Sequence, residues 1–223
     1  MSGSPKIRRS MLIFGSHSRH FFNRTYHMPS DEILKERIAI RIAKATDVLQ
    51  KSSALIPQIV TAGQQLTDCI LNDGKILVLG NGSTAFIGQI FASHLMYRFE
   101  RDRPGLPAIS LNADTTLISS HNDESSSEKY SRQIKALGKT SDCLLVMSST
   151  ETDASFKQAV NVAHEQELRI VALTGGDGGE ISTLLNYGDV EIRVDSDYPP
   201  TVREHHLVLI HCLNDLIDLQ IFG

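Results

Sequence analysis

The stretch Lys75-Ile76-Leu77-Val78-Leu79-Gly80-Asn81-Gly82-Ser83-Thr84-Ala85 constrains the fold more than any other part of the chain. An apolar run breaks at two glycines and gives way to small hydroxylated residues, so it reads as a buried strand, a tight turn and a helix N-terminus. Gly80 and Gly82 permit positive φ and close approach of the backbone, and free N–H groups with the helix dipole favour an anion there. Ser83 and Thr84 add hydroxyl donors. A bare strand-to-helix turn is the alternative reading, and these residues leave both open. The spacing Gly80-x-Gly82-x-x-Ala85 also matches the loose dinucleotide fingerprint, which needs an acidic residue at the end of the next strand. That strand-like run, 108–111, ends at Asn112, Asp114 comes too late, and no Gly-Lys-Ser/Thr follows the turn. Neither a Rossmann nucleotide site nor a P-loop is supported.

With 223 residues, 41% of them hydrophobic, the chain can bury one sizeable α/β core. No apolar run approaches the roughly 20 residues that span a bilayer. A net charge of −4 speaks against broad binding to nucleic-acid phosphates, so no direct DNA contact is expected of the core. Cys69, Cys143 and Cys212 are odd in number, far apart and set among apolar residues, which suits reduced core thiols and a cytoplasmic location.

Residues 1–27 hold five basic side chains and no Asp or Glu, leaving 17 basic against 26 acidic for the rest. This segment is expected to be a disordered extension or the product of a misplaced start, with Met28 directly before a clean helix start. From there Ser30 offers a cap, and Ile33, Ile38, Ile42, Ala45 and Leu49 recur at helical spacing. A second helix over 54–71 completes an N-terminal helical pair, 28–73, ahead of the main domain, 74–223. Short apolar runs at 142–147, 169–173 and 190–194 read as further strands, with helices over 84–99, 115–120, 127–137, 154–167 and 201–219. Strands alternating with helices predict a doubly wound, three-layer α/β/α domain on a parallel sheet, with ligands at the carboxyl ends of the strands.

The blocks Gly80-Asn81-Gly82-Ser83-Thr84-Ala85, Asn122-Asp123, Leu173-Thr174-Gly175-Gly176-Asp177-Gly178-Gly179 and the final helix together resemble the sugar isomerase (SIS) domain family over roughly residues 29–223. Within it, Arg98-Phe99-Glu100, Arg103-Pro104, Leu106-Pro107-Ala108-Ile109, the run 132–138 and Cys212-Leu213-Asn214-Asp215-Leu216-Ile217-Asp218 look more like the DiaA-type initiator-associating members than the phosphoheptose isomerases. The resemblance implies a homotetramer and a phosphosugar pocket formed by Asn81, Gly82, Ser83, Thr84, Asp123, Ser148, Ser149 and Glu204. It also implies, in phosphoheptose isomerases, a metal held by four side chains. At those positions this chain has Ile90, His94, Arg203 and His211. Isoleucine cannot ligate a metal and neither can a protonated guanidinium, so no metal and no cofactor are expected.

The family's second phosphate loop reads here Ser148-Ser149-Thr150-Glu151-Thr152-Asp153, with Glu151 and Asp153 replacing a glycine and a serine. Like charges in a poorly solvated pocket cost several kcal/mol at roughly 4 Å, unless these carboxylates turn outward to cap the next helix. His121, Asp123, Glu124, Glu204, His205 and His206 are acid–base candidates, for which structural hydrogen bonding is expected and no catalytic role. The apolar end, Ile221-Phe222, is a candidate partner anchor. The expectation at this level is a non-enzymatic homotetrameric scaffold for the replication initiator DnaA. The alternatives are a phosphosugar isomerase acting on sedoheptulose 7-phosphate or a similar ketose phosphate, and a non-catalytic sugar-phosphate sensor.

Overall fold

The computed structural model describes residues 28–114, 127–149 and 154–223. The helix expected at 115–120 lies outside these. The chain divides into two units, Met1–Ala39 and Ile40–Gly223, and the second holds the sheet. The elements in chain order are α1 (Asp31–Lys51), a short 3-10 turn (Ser52–Leu55), α2 (Ile56–Leu71), β1 (Ile76–Gly80), α3 (Thr84–Met96), β2 (Ala108–Ser110), α4 (Ser131–Leu137), β3 (Cys143–Met147), α5 (Ala154–Glu165), β4 (Arg169–Gly175), α6 (Gly179–Leu184), β5 (Val190–Val194) and α7 (Pro199–Phe222).

All five strands are parallel, in the order β2-β1-β3-β4-β5. The apolar runs are long because both faces of the sheet are covered. Alternate residues serve opposite faces: Ile76, Val78, Cys143, Leu145, Met147, Val171 and Leu173 join one core with side chains of α2, α3 and α7. Leu77, Leu79, Leu144, Val146, Ile170 and Ala172 join the other, with α4, α5 and α6. The three-layer α/β/α fold with a parallel sheet is therefore as expected. Ile59, Ala62 and Leu66 of α2 belong to the first of these cores, so this half of the helical pair is built into the domain.

The periodic apolar row of α1 behaves differently: Ile33, Ile38, Ile42 and Leu49 are all exposed, and Val48 is the helix's buried residue. Cys69 and Cys143 are buried free thiols, and Cys212 is a half-buried one. Among the described residues no helix is long and apolar enough to cross a membrane.

Arg103 closes the far end of α3. Its Nη1 and Nη2 donate to the carbonyls of Leu95 and His94 at 2.9 and 3.0 Å, satisfying acceptors that a helix C-terminus leaves open. Its Nε lies 2.6 Å from Asp218 Oδ1, an ion pair too poorly aligned to count as a hydrogen bond, with both side chains nearly fully buried. The Phe222 ring covers the same guanidinium at 5.8 Å. These contacts, with Arg101 Nη1 donating to the Gly223 carbonyl at 2.7 Å, keep α7 helical to Phe222, beyond the expected end at 219.

Candidate functional site

The strand order reverses between β1 and β3. The chain steps from β1 outward to β2, then returns to the other side of β1, so the loops leaving β1 and β3 diverge over a crevice. Open α/β sheets of this 2-1-3-4-5 order bind ligands at that point. Gly80 and Met147 are in register, so both strands end level and present Asn81–Thr84 and Ser148–Ser149 side by side.

The first loop is drawn tight by the backbone. A Cβ on Gly80 would lie 2.4 Å from Thr84 C and O and from Ala85 N, and Gly82 has φ +53° with open space where a side chain would stand. Asn81 N donates to the Met147 carbonyl at 3.0 Å. Thr84 is buried, and its hydroxyl reaches the carbonyls of Asn81 and Met147 at 2.8 and 2.9 Å. Thr84 thus fastens β1 to β3 from inside the turn. Ser83 is exposed at the start of α3, and its side chain makes no capping bond, so its hydroxyl is unused among the described residues.

Asn112 supports this loop from beneath. Its Oδ1 accepts from Gly80 N at 2.8 Å, while its Nδ2 donates to Gly80 O at 3.1 Å and to the Tyr130 hydroxyl at 3.0 Å. The one sequence signal for this role is an apolar run that stops at an amide, which reads simply as the end of a strand.

In the second loop Ser148 is buried and its N–H donates to the Leu173 carbonyl at 2.9 Å. Ser149 is half-buried, and its Oγ accepts from Arg203 Nη1 at 3.3 Å. Arg203 and Glu204 come from the first turns of α7, which approaches closely because Gly175 has no side chain: a Cβ there would lie 2.6 Å from Val202. Glu204 is held by Arg41 Nη2 at 2.6 Å, and Arg41 Nη1 also donates to Thr201 Oγ1 at 2.8 Å. Asp123, with His121 and Glu124, lies outside the described residues, as do Glu151 and Asp153.

The remaining histidines are structural in their contacts. His205 is buried with Nδ1 3.1 Å from the Thr201 carbonyl. His206 is fully buried and donates from Nε2 to the Thr174 carbonyl at 3.1 Å, leaving Nδ1 without a partner. Burial pushes its pKa down to about 4, against the opposing effect of the Thr174 bond. Its native form is therefore neutral, while the unfolded chain takes up a proton below about 6.5. Stability is full above that value and falls as pH drops from about 6.5 towards 4, by roughly 3 kcal/mol from this residue. Urea unfolding of the parent and His206→Gln at both ends of that range checks this: the variant should show a flatter decline, and parallel declines would refute it.

The four positions implied for a metal do not assemble one. Ile90 is a partly exposed aliphatic side chain, and Arg203 is turned to Ser149. His94 and His211 lie with ring centroids 5.6 Å apart, each also packed on Phe99 at 5.1 and 5.7 Å. Burial, and then His211, lower the His94 pKa. Among the described residues no three His, Cys, Asp or Glu come together as a metal site. An aliphatic and a cationic residue in half of the donor set do not fit a divalent ion.

Comparison with known proteins adds the family. A SIS domain model matches residues 42–175. A phosphoheptose isomerase of Chromohalobacter salexigens is 49% identical over 173 residues, 77% of this chain and 88% of that protein. One from Methylococcus capsulatus is 40% identical over 190 residues, covering 84% and 97% of the two chains. A solved phosphoheptose isomerase structure from Francisella tularensis superposes with a TM-score of 0.79 at 37% identity, covering 82% of this chain and 97% of that one. These relatives overturn two expectations drawn from the sequence, that the chain is a DnaA scaffold with its nearest likeness among initiator-associating proteins, and that it is not an enzyme. The scaffold's supposed anchors have other contacts: Ile221 packs on the core and Phe222 lies over Arg103.

Proposed function

We propose, for a chain that belongs to the SIS domain family, the activity of a phosphosugar isomerase of the phosphoheptose isomerase type, acting on sedoheptulose 7-phosphate or a similar ketose phosphate. The observation that carries the reading is the coincidence of two serine-bearing loops with the β1/β3 switch point, in a chain 49% identical to a protein of that name. Asn81, Gly82, Ser83, Ser148 and Ser149 form the phosphate end of the site. Thr84 contributes by fixing the loop rather than by contact, since its hydroxyl is occupied within the turn. Asp123 is retained in the site from the family likeness.

Aldose–ketose isomerisation removes a proton from the carbon beside the carbonyl and returns one to the carbonyl carbon, with a matching proton exchange between the two oxygens. A single positioned base serves both carbon steps. We assign it to Glu204: one carboxylate oxygen is fixed by Arg41, the other has no partner among the described residues, and the side chain is half exposed beside Arg203. No step requires a metal.

The decisive experiment is proton NMR of sedoheptulose 7-phosphate with the purified full chain, in the presence of chelator and with metal content measured on the same sample. Aldose signals appearing at unchanged rate in chelator are expected, together with solvent deuterium entering the product. Absence of turnover with and without added divalent metals would end the isomerase reading. The family likeness also implies a homotetramer, and the exposed Phe86 and Ile90 on α3 and Leu207 and Val208 on α7 supply apolar surface for it. A light-scattering mass of one chain would exclude that assembly.

A further inference from the structure

Among the described residues Arg203 is a cation without a counterion. It is half-buried, its one hydrogen bond goes to the neutral Ser149 hydroxyl, and among the described residues no carboxylate pairs with it. Other arginines of this edge are matched, Arg41 by Glu204 and Arg193 by Glu191. A guanidinium carries five N–H donors in a planar fork, and removing it partly from water is unfavourable until an anion meets it. The bond to Ser149 puts the guanidinium at the loop that ends β3, at the carboxyl end of the strands where sheets of this order bind ligands. In sequence this loop continues into Glu151 and Asp153 and holds no Lys or Arg of its own, so its serine hydroxyls offer a dianion no positive charge.

We infer that Arg203 is the anion-binding side chain of this site, donating to the phosphate oxygens of the sugar phosphate and supplying as a fixed guanidinium the positive charge that the site lacks. It recognises a phosphate by charge-assisted, paired N–H bonds, and the bond to Ser149 sets the plane of the fork. The sugar part of this assignment rests on the isomerase reading; the phosphate contact does not.

Calorimetric titration of the full chain with inorganic phosphate, using the parent, Arg203→Gln and Arg203→Lys, tests it. Glutamine is neutral and keeps an N–H donor that can serve Ser149, so it removes the charge and the fork while leaving the loop a polar partner. Arg203→Gln should weaken phosphate binding by about tenfold or more, as expected for loss of a charge-assisted bond, while Arg203→Lys, which keeps the charge but not the paired fork, should lose less than Arg203→Gln. With sedoheptulose 7-phosphate the same change should raise KM with little effect on kcat. Equal affinities in the parent and Arg203→Gln would overturn the inference. So would equal losses in the Gln and Lys variants with a lowered Tm, or a parent that does not bind phosphate saturably. Phosphate binding that depends on Arg203 without any sugar turnover would sink the isomerase reading and leave this one standing.

Discussion

Asp218→Ala is expected to lower stability by about 3–5 kcal/mol, because it leaves the Arg103 guanidinium buried without its counter-charge. Removing one partner of a buried pair costs far more than the pair itself is worth, since the surviving ion keeps its desolvation penalty. For a domain of this length that loss corresponds to a Tm decrease of roughly 6–20 °C. The effect should reach α3 as well as α7, because the same guanidinium holds the His94 and Leu95 carbonyls. Thermal unfolding followed by circular dichroism measures it. A loss of less than about 1 kcal/mol would mean that Arg103 relaxes into solvent and that the pair does not seal this end of the domain.

Glu204→Gln is expected to reduce kcat for the ketose phosphate by two orders of magnitude or more, the usual contribution of a positioned general base. Stability should hardly change. The Arg41–Glu204 pair is exposed, at 31% and 51% of the side-chain surface, and pairs of that kind contribute little. The glutamine can still accept the Arg41 bond, so geometry is kept and only the proton acceptor is lost. Loss of turnover with intact melting separates chemistry from folding. A variant with kcat within about twofold of the parent would remove Glu204 from proton transfer and move the search to His121, Asp123 and Glu124.

The sheet was legible because parallel strands covered on both sides must be continuously apolar, and 76–79, 143–147 and 170–173 are. The two serine loops were legible for the same reason: each follows such a run directly. What sequence spacing lacks is register and long-range pairing. The Thr84 hydroxyl was expected to face a ligand, yet alignment of Gly80 with Met147 brings a carbonyl within its reach and turns it inward. Arg41 and Glu204 lie far apart along the chain, as do Arg103 and Asp218, and no local pattern announces either pair. The row of isoleucines on α1 shows the opposite limit, since periodicity defines an apolar face without saying what meets it. Ile90 and Arg203 exclude a metal site of that type but leave both serine loops in place, and Arg203 reaches one of them at Ser149.

The placing of α7 also bears on how this protein is made. Leu209, Ile210, Leu213 and Ile217 fill the same core as Ile59, Ala62 and Leu66 of α2, yet α2 is translated long before them. While the ribosome adds the residues between Leu71 and Pro199, the side of α2 that meets α7 and the part of the sheet that α7 covers await their partner. The nascent chain therefore carries this uncovered apolar surface through much of its synthesis, the partly built state in which a growing domain is prone to aggregate.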